Sequence, residues 1–85
     1  MIYDVNLSKS AEKELYKLPK SYYLKIRYAI DNLAENPRPI ACLKLTNKGN
    51  QYRIRVGVYR IIYSIFDEQL VIDIIAIGHR KDIYK

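Results

Sequence analysis

Six side chains in the second half of this chain have types and spacing that could do chemistry together: Arg53, Arg55, Arg60, His79, Arg80 and Tyr84. Guanidiniums, an imidazole and a phenol, with no set of metal ligands, suit cleavage of RNA by its own 2′-hydroxyl. The nucleophile then belongs to the substrate. The protein supplies a base for the 2′-OH, cations for the phosphate as charge develops, and an acid for the 5′-oxygen leaving group. Arginine can serve the second role but not the first, because a guanidinium stays protonated. Proton transfer falls to His79 or Tyr84, or the ribose is activated mainly by positioning. Histidine is the one side-chain type present that titrates near neutrality without perturbation. A tyrosine among arginines becomes more acidic, and Tyr84 could instead stack on a base.

The element that must position these groups is the stretch QYRIRVGVYRIIYSI, Gln51 to Ile65, which alternates like two strands. Gly57-Val58 fits a two-residue loop with glycine first, as a type II′ turn prefers. That loop sets Val56 opposite Tyr59, Arg55 opposite Arg60, Ile54 opposite Ile61 and Arg53 opposite Ile62. One face then carries Tyr52, Ile54, Val56, Tyr59, Ile61, Tyr63 and Ile65, and the other carries the three arginines. Like charges placed directly across a strand pair are destabilising, by about 1 kcal/mol at ~4 Å in water. Folding gains nothing from this arrangement, so a functional site is expected there.

The next strand is expected over Leu70–Ile77. An even-numbered turn near Asp67-Glu68 puts Leu70, Ile72, Ile74 and Ala76 on the core face and Asp73, Ile75, Ile77 and His79 on the arginine side. Arg80 and Tyr84 lie beyond it and can fold back across that side. Upstream, MIYDVNL reads as a strand. Ser8 is an N-cap for a helix whose apolar face is Ala11, Leu15 and Leu18, and Pro19 ends it. A second helix runs from about Lys20 to Asn36 with Tyr23, Ile26, Ile30 and Leu33 as its stripe. A Pro- and Gly-marked connection follows, with a short strand at Leu43–Leu45. The expected class is α+β, in the order β-α-α-β-β-β, with both helices on one face of a small, mainly antiparallel sheet. A single domain over residues 1–85 is expected.

The net charge of +6 over 85 residues points to an anionic partner, first nucleic acid and then an acidic protein. Lysines gather on the helices and the connection, whereas the late sheet carries arginine, whose planar fork suits phosphate. Lys44, Lys48, Lys81 and Lys85 are the candidate additional contacts to RNA. One cysteine and one histidine make a zinc site of the usual composition improbable, so no metal and no other cofactor is expected. No apolar run approaches the roughly 18 residues of a membrane span, and no signal-peptide core opens the chain. The expected location is the cytoplasm, with no membrane partner.

The segments YRIRVGVYRIIYSI and IIAIGHRKDIY resemble the signature of the RelE/ParE toxin superfamily, the toxic halves of type II toxin–antitoxin pairs. Within it the basic hairpin and the late tyrosine are similar to the RelE branch, whose members are ribosome-dependent endonucleases that cut mRNA. That resemblance implies phosphate-handling roles for Arg53, Arg55, Arg60 and the His79-Arg80 pair, and a role for Tyr84. The best-known members carry lysines where this chain has Arg53 and Arg55, which leaves the proton acceptor between His79 and Tyr84. The resemblance also implies a small, commonly acidic antitoxin that wraps the toxin, with operator DNA bound only through that antitoxin. Two other readings stay open at this point: a ParE-like inhibitor of DNA gyrase without nuclease activity, and a non-catalytic module binding RNA or an acidic partner.

Overall fold

A computed structural model describes residues 2–47 and 49–83. Its elements are β1 (Asp4–Leu7), α1 (Lys9–Lys17), α2 (Lys20–Leu33), β2 (Leu43–Lys44), β3 (Gln51–Val56), β4 (Tyr59–Phe66) and β5 (Val71–His79). They form the expected α+β arrangement, a five-stranded sheet in the order β1-β5-β4-β3-β2 with both helices on one side. β1 runs parallel to β5, and the other pairings are antiparallel.

The hairpin register is the one the two-residue loop dictates: Arg55 faces Arg60 and Val56 faces Tyr59. Gly57 has φ of +61°, the left-handed value that a II′ turn needs at its first position. Helical spacing delivers Ala11 and Leu15 from α1, and Ile26, Ile30 and Leu33 from α2, onto Tyr52, Ile54, Ile61, Tyr63 and Ile65. All of these are buried. Ser8 caps α1 by accepting from the Ala11 N–H at 3.0 Å. The second helix ends at Leu33 rather than near Asn36. The next residues tighten, with Ala34 N–H bonding to Asp31 and Glu35 N–H to Asn32, while the Ala34 carbonyl is taken by Tyr3 N–H at 2.8 Å.

The last strand departs from simple alternation. Ile62 pairs with Ala76, but Tyr63 pairs with Ile74, so Ile75 is an extra residue in a β-bulge. A bulge reverses the parity of every residue after it. Ile72 and Ile74 are core residues as expected, but beyond the bulge it is Ile77, not Ala76, that is buried. The bulge is braced from the neighbouring edge: Ser8 Oγ donates to the Ile75 carbonyl at 2.8 Å, and Ser8 N–H donates to the Ile74 carbonyl at 3.0 Å. The cap of α1 and the kink in β5 therefore depend on one serine. Leu70, expected on the core face of the strand, instead lies in the Asp67–Leu70 connection with φ of +55°.

The far end of the sheet is closed by a polar cluster. Arg38 makes a two-pronged contact with Asp67 at 2.8 and 3.2 Å, and Tyr3 Oη donates to the same carboxylate at 2.7 Å. Arg38 Nε also donates to Tyr52 Oη at 3.2 Å, with the guanidinium carbon 5.2 Å from the ring centre. The Arg38 guanidinium, helped by Tyr3, holds the Asp67 carboxyl down at about 2. Fully buried Tyr63 donates to the Pro37 carbonyl at 2.7 Å, and burial pushes its phenol well above the usual range. Among the described residues no helix is long and apolar enough to cross a membrane.

Candidate active site

The hairpin β3–β4 presents its arginines on the side of the sheet that the helices leave open. Arg53 and Arg55 alternate with buried Tyr52 and Ile54, and Arg60 precedes buried Ile61, so all three leave the sheet on the same side. Arg55 and Arg60 form the pair next to the turn-closing pair, the type in which side chains stand closest. Arg55 is exposed, and Arg53 and Arg60 are half-buried. Leu43, opposite Arg53, and Ala76, opposite Ile62, share this open face.

Arg60 is not left to repel Arg55 freely. Its Nη1 donates to the carbonyls of Gly57 at 3.1 Å and Tyr59 at 3.0 Å. The tip of the hairpin therefore holds one guanidinium through its own backbone. The remaining donors of the fork stay available for an anion. Arg80 enters at the same tip, where its N–H donates to the Val58 carbonyl at 2.7 Å and its side chain is exposed.

After β5 the chain turns back. Asp82 and Ile83 N–H groups both bond to the His79 carbonyl, at 2.8 and 3.0 Å. Gly78 pairs with Arg60, so a side chain there would project onto the arginine face. A Cβ at Gly78 would lie 3.3 Å from Ile83 Cδ1. The missing side chain makes room for Ile83, on the tail, to approach that face. Sequence reasoning gave Gly78 no role, although a glycine inside a strand signals a close approach of another segment.

His79 is placed differently from expectation. The bulge at Ile75 sets it opposite Tyr59, with ring centres 5.9 Å apart at 77°, so it sits on the helix side of the tip rather than among the arginines. Its Nδ1 accepts the Lys81 N–H at 3.1 Å. A neutral imidazole whose Nδ1 accepts carries its proton on Nε2, so this histidine offers outward a donor rather than a base. Lys81 is exposed beside Arg80, on the tail. Lys44 pairs with Tyr52 and so leaves β2 on the opposite side from the arginines, exposed at the sheet's edge. Tyr84, Lys48 and Lys85 lie outside the described residues.

Among the described residues no three His, Cys, Asp or Glu side chains are grouped so as to hold a metal ion. The arrangement can grip a phosphodiester with several planar cations on an open sheet face and can offer hydrogen-bond donors from its margin.

Comparison with known proteins gives a consistent picture. The family described as the ParE toxin of the type II toxin–antitoxin system parDE matches residues 5–84. A putative RelE-like toxin protein of Escherichia coli is 31% identical, over 99% of this chain and 92% of its own length. The mRNA interferase toxin RelE of Escherichia coli K12 is 29% identical, over 95% of this chain and 86% of its own length. In the crystal structure of an archaeal RelE–RelB complex from Pyrococcus horikoshii, one chain superposes with a TM-score of 0.85 at 34% identity, covering 96% of this chain and 99% of that one.

Proposed function

On the premise that the chain belongs to the ParE toxin family of type II toxin–antitoxin systems, on its RelE-like branch, we propose that it is an endoribonuclease that cuts mRNA on the ribosome. The observation that carries this reading is the arginine face of the β3–β4 ribbon, with Arg53, Arg55 and Arg60 on one side and Arg80 rooted at the same tip. Like charges so placed cost stability and have value only when an anion lies between them. The name of the Escherichia coli relative, an mRNA interferase, supports the choice of RNA as that anion.

In the proposed reaction the substrate's 2′-oxygen attacks the adjacent phosphorus and displaces the 5′-oxygen of the next nucleotide, leaving a 2′,3′-cyclic phosphate. Arg53, Arg55 and Arg60 stabilise the charge that grows on the non-bridging oxygens, and Arg80 holds the phosphate from the tail. The engaged Nδ1 of His79 argues against that residue as the base and leaves its Nε2–H to hydrogen-bond the departing 5′-oxygen, which takes its proton from solvent. Removal of the 2′-proton is assigned to Tyr84, assisted by the positioning of the ribose. The reaction needs no metal. Lys48, Lys81 and Lys85 are assigned to the flanking RNA, whereas Lys44, on the opposite side of the sheet from the arginines, is not.

The proposed partner is a cognate antitoxin, since solved relatives are RelE–RelB complexes. A chain of net charge +6 suits an acidic wrapping segment that neutralises the arginine face. The reading is tested with purified protein, ribosomes carrying an occupied P site, and primer extension on the message. Discrete cuts are expected in the wild type, and loss of cutting in Arg60→Ala and Arg80→Ala at unchanged fold. An uncut message, or full activity in both variants, overturns it. Inhibited supercoiling by gyrase would point instead to the other branch of the superfamily.

A further inference from the structure

Arg60 owes its placement to a two-residue turn, and that turn is gripped from the opposite face of the sheet. The ring of Tyr22, near the start of α2, lies against the tip so closely that a Cβ at Gly57 would stand 3.1 Å from Tyr22 Cε1 and 3.4 Å from its hydroxyl. Tyr22 also packs edge-on against Tyr59, with centroids 4.9 Å apart at 64°, and Lys25 Nζ sits 5.6 Å from the Tyr22 ring centre. Tyr59 in turn meets His79. The same turn supplies the Gly57 carbonyl to Arg60 Nη1, at 3.1 Å, and the Val58 carbonyl to Arg80 N–H, at 2.7 Å. Helix, hairpin and tail thus converge on Gly57-Val58.

We propose that Tyr22 is a positioning residue for the reaction, which holds Arg60 and the root of Arg80 in place by bracing the turn that binds both. At the tip β5 supports β4, but β3 has no outer neighbour because β2 reaches only as far as Arg53, and opposed Arg55 and Arg60 push the two strands apart. Without an aromatic wedge against Gly57 the turn can swing, and both carbonyls move with it. The guanidinium charge remains, so attraction of the polyanion is largely kept, but its alignment with the developing oxyanion is lost. The loss therefore belongs to kcat rather than KM. Glycine at position 57 serves a second purpose here besides its left-handed φ: any side chain would displace the wedge.

The inference rests on the nuclease reading above, so one arm of the test does not need activity. Amide exchange of Arg80, whose N–H is tied to the turn, should speed up at least tenfold in Tyr22→Ala and stay within twofold of wild type in Tyr22→Phe, which keeps the ring. In single-turnover cleavage of ribosome-bound mRNA, Tyr22→Ala should lower kcat about tenfold or more with KM within twofold, and Tyr22→Phe should restore the rate. Combined with Arg60→Lys, which keeps a cation and a residual rate but not the planar fork held by the turn, Tyr22→Ala should add less than twofold, because the alignment it supports is already lost. A multiplicative further loss, unchanged kcat in an active wild-type background, or unaltered Arg80 exchange would overturn the proposal. A wild type that cuts no message would refute the nuclease reading and leave the exchange arm to decide whether Tyr22 braces the turn.

Discussion

Replacing Arg55 by threonine should make this protein more stable and less active. Arg55 is exposed and lies directly across from Arg60. The Arg60 guanidinium is drawn toward the Gly57 and Tyr59 carbonyls, which eases but does not remove its repulsion from Arg55. Like charges on facing strand positions repel by about 1 kcal/mol in water at ~4 Å, less as they part and more beside a protein surface. Threonine also suits a strand, so a gain of about 0.5–1 kcal/mol is expected. For a chain of this size that corresponds to a rise in Tm of about 3–6 °C. The assay is thermal unfolding followed by circular dichroism at 20 mM and 500 mM NaCl. Screening shortens to about 4 Å at the higher salt, so most of the electrostatic share of the gain should vanish. Cleavage should fall by about ten- to a hundredfold, the value of a charge-assisted contact to phosphate. A variant less stable than wild type at low salt, or a gain indifferent to salt, would refute the claim that the arginines are held together against their own repulsion.

The bulge makes a sharp pair: Ile77→Thr should cost about 2–4 kcal/mol in denaturant unfolding, whereas Ala76→Thr should stay within about 0.5 kcal/mol, the reverse of what simple alternation requires. Tyr63→Phe should lower stability by about 1–3 kcal/mol in the same assay, because the Pro37 carbonyl loses the hydroxyl that satisfies it. The Asp67 carboxyl is held at about 2 by Arg38 and Tyr3, below its ordinary 3.8. Its contribution to stability is therefore complete above about pH 4 and is lost as pH falls through about 2. Acid titration of the unfolding midpoint should show that loss in wild type, and Asp67→Asn should remove that part of the pH dependence.

The hairpin was legible because its physics is local. A two-residue loop opened by Gly57 fixes the register, and alternation then sorts tyrosines and isoleucines from arginines. Ser8, Pro19 and the spacing of Ala11 and Leu15 marked the first helix for the same reason. The bulge at Ile75 was not legible. The run IIAI is apolar at every position, so a shift of parity leaves no trace in the pattern, and the interaction that braces it comes from Ser8, 67 residues away. His79 was placed on the arginine side for want of that one extra residue. The Arg38–Asp67 contact spans 29 residues, and Asp67 looked like an ordinary turn residue. The grip of Tyr22 on Gly57 depends on where α2 lies over the sheet, which tertiary packing alone decides.

The most direct test of the proposed chemistry removes one oxygen from the substrate. A message carrying a single 2′-deoxynucleotide at the position cut by the wild-type protein is offered on the ribosome beside its all-ribose counterpart. Cleavage at that site should disappear while neighbouring sites stay unaffected, and the all-ribose product should end in a 2′,3′-cyclic phosphate. Cutting of the deoxy-substituted site at an unchanged rate would mean that the nucleophile comes from elsewhere, and would contradict an arginine face built to help RNA cut itself.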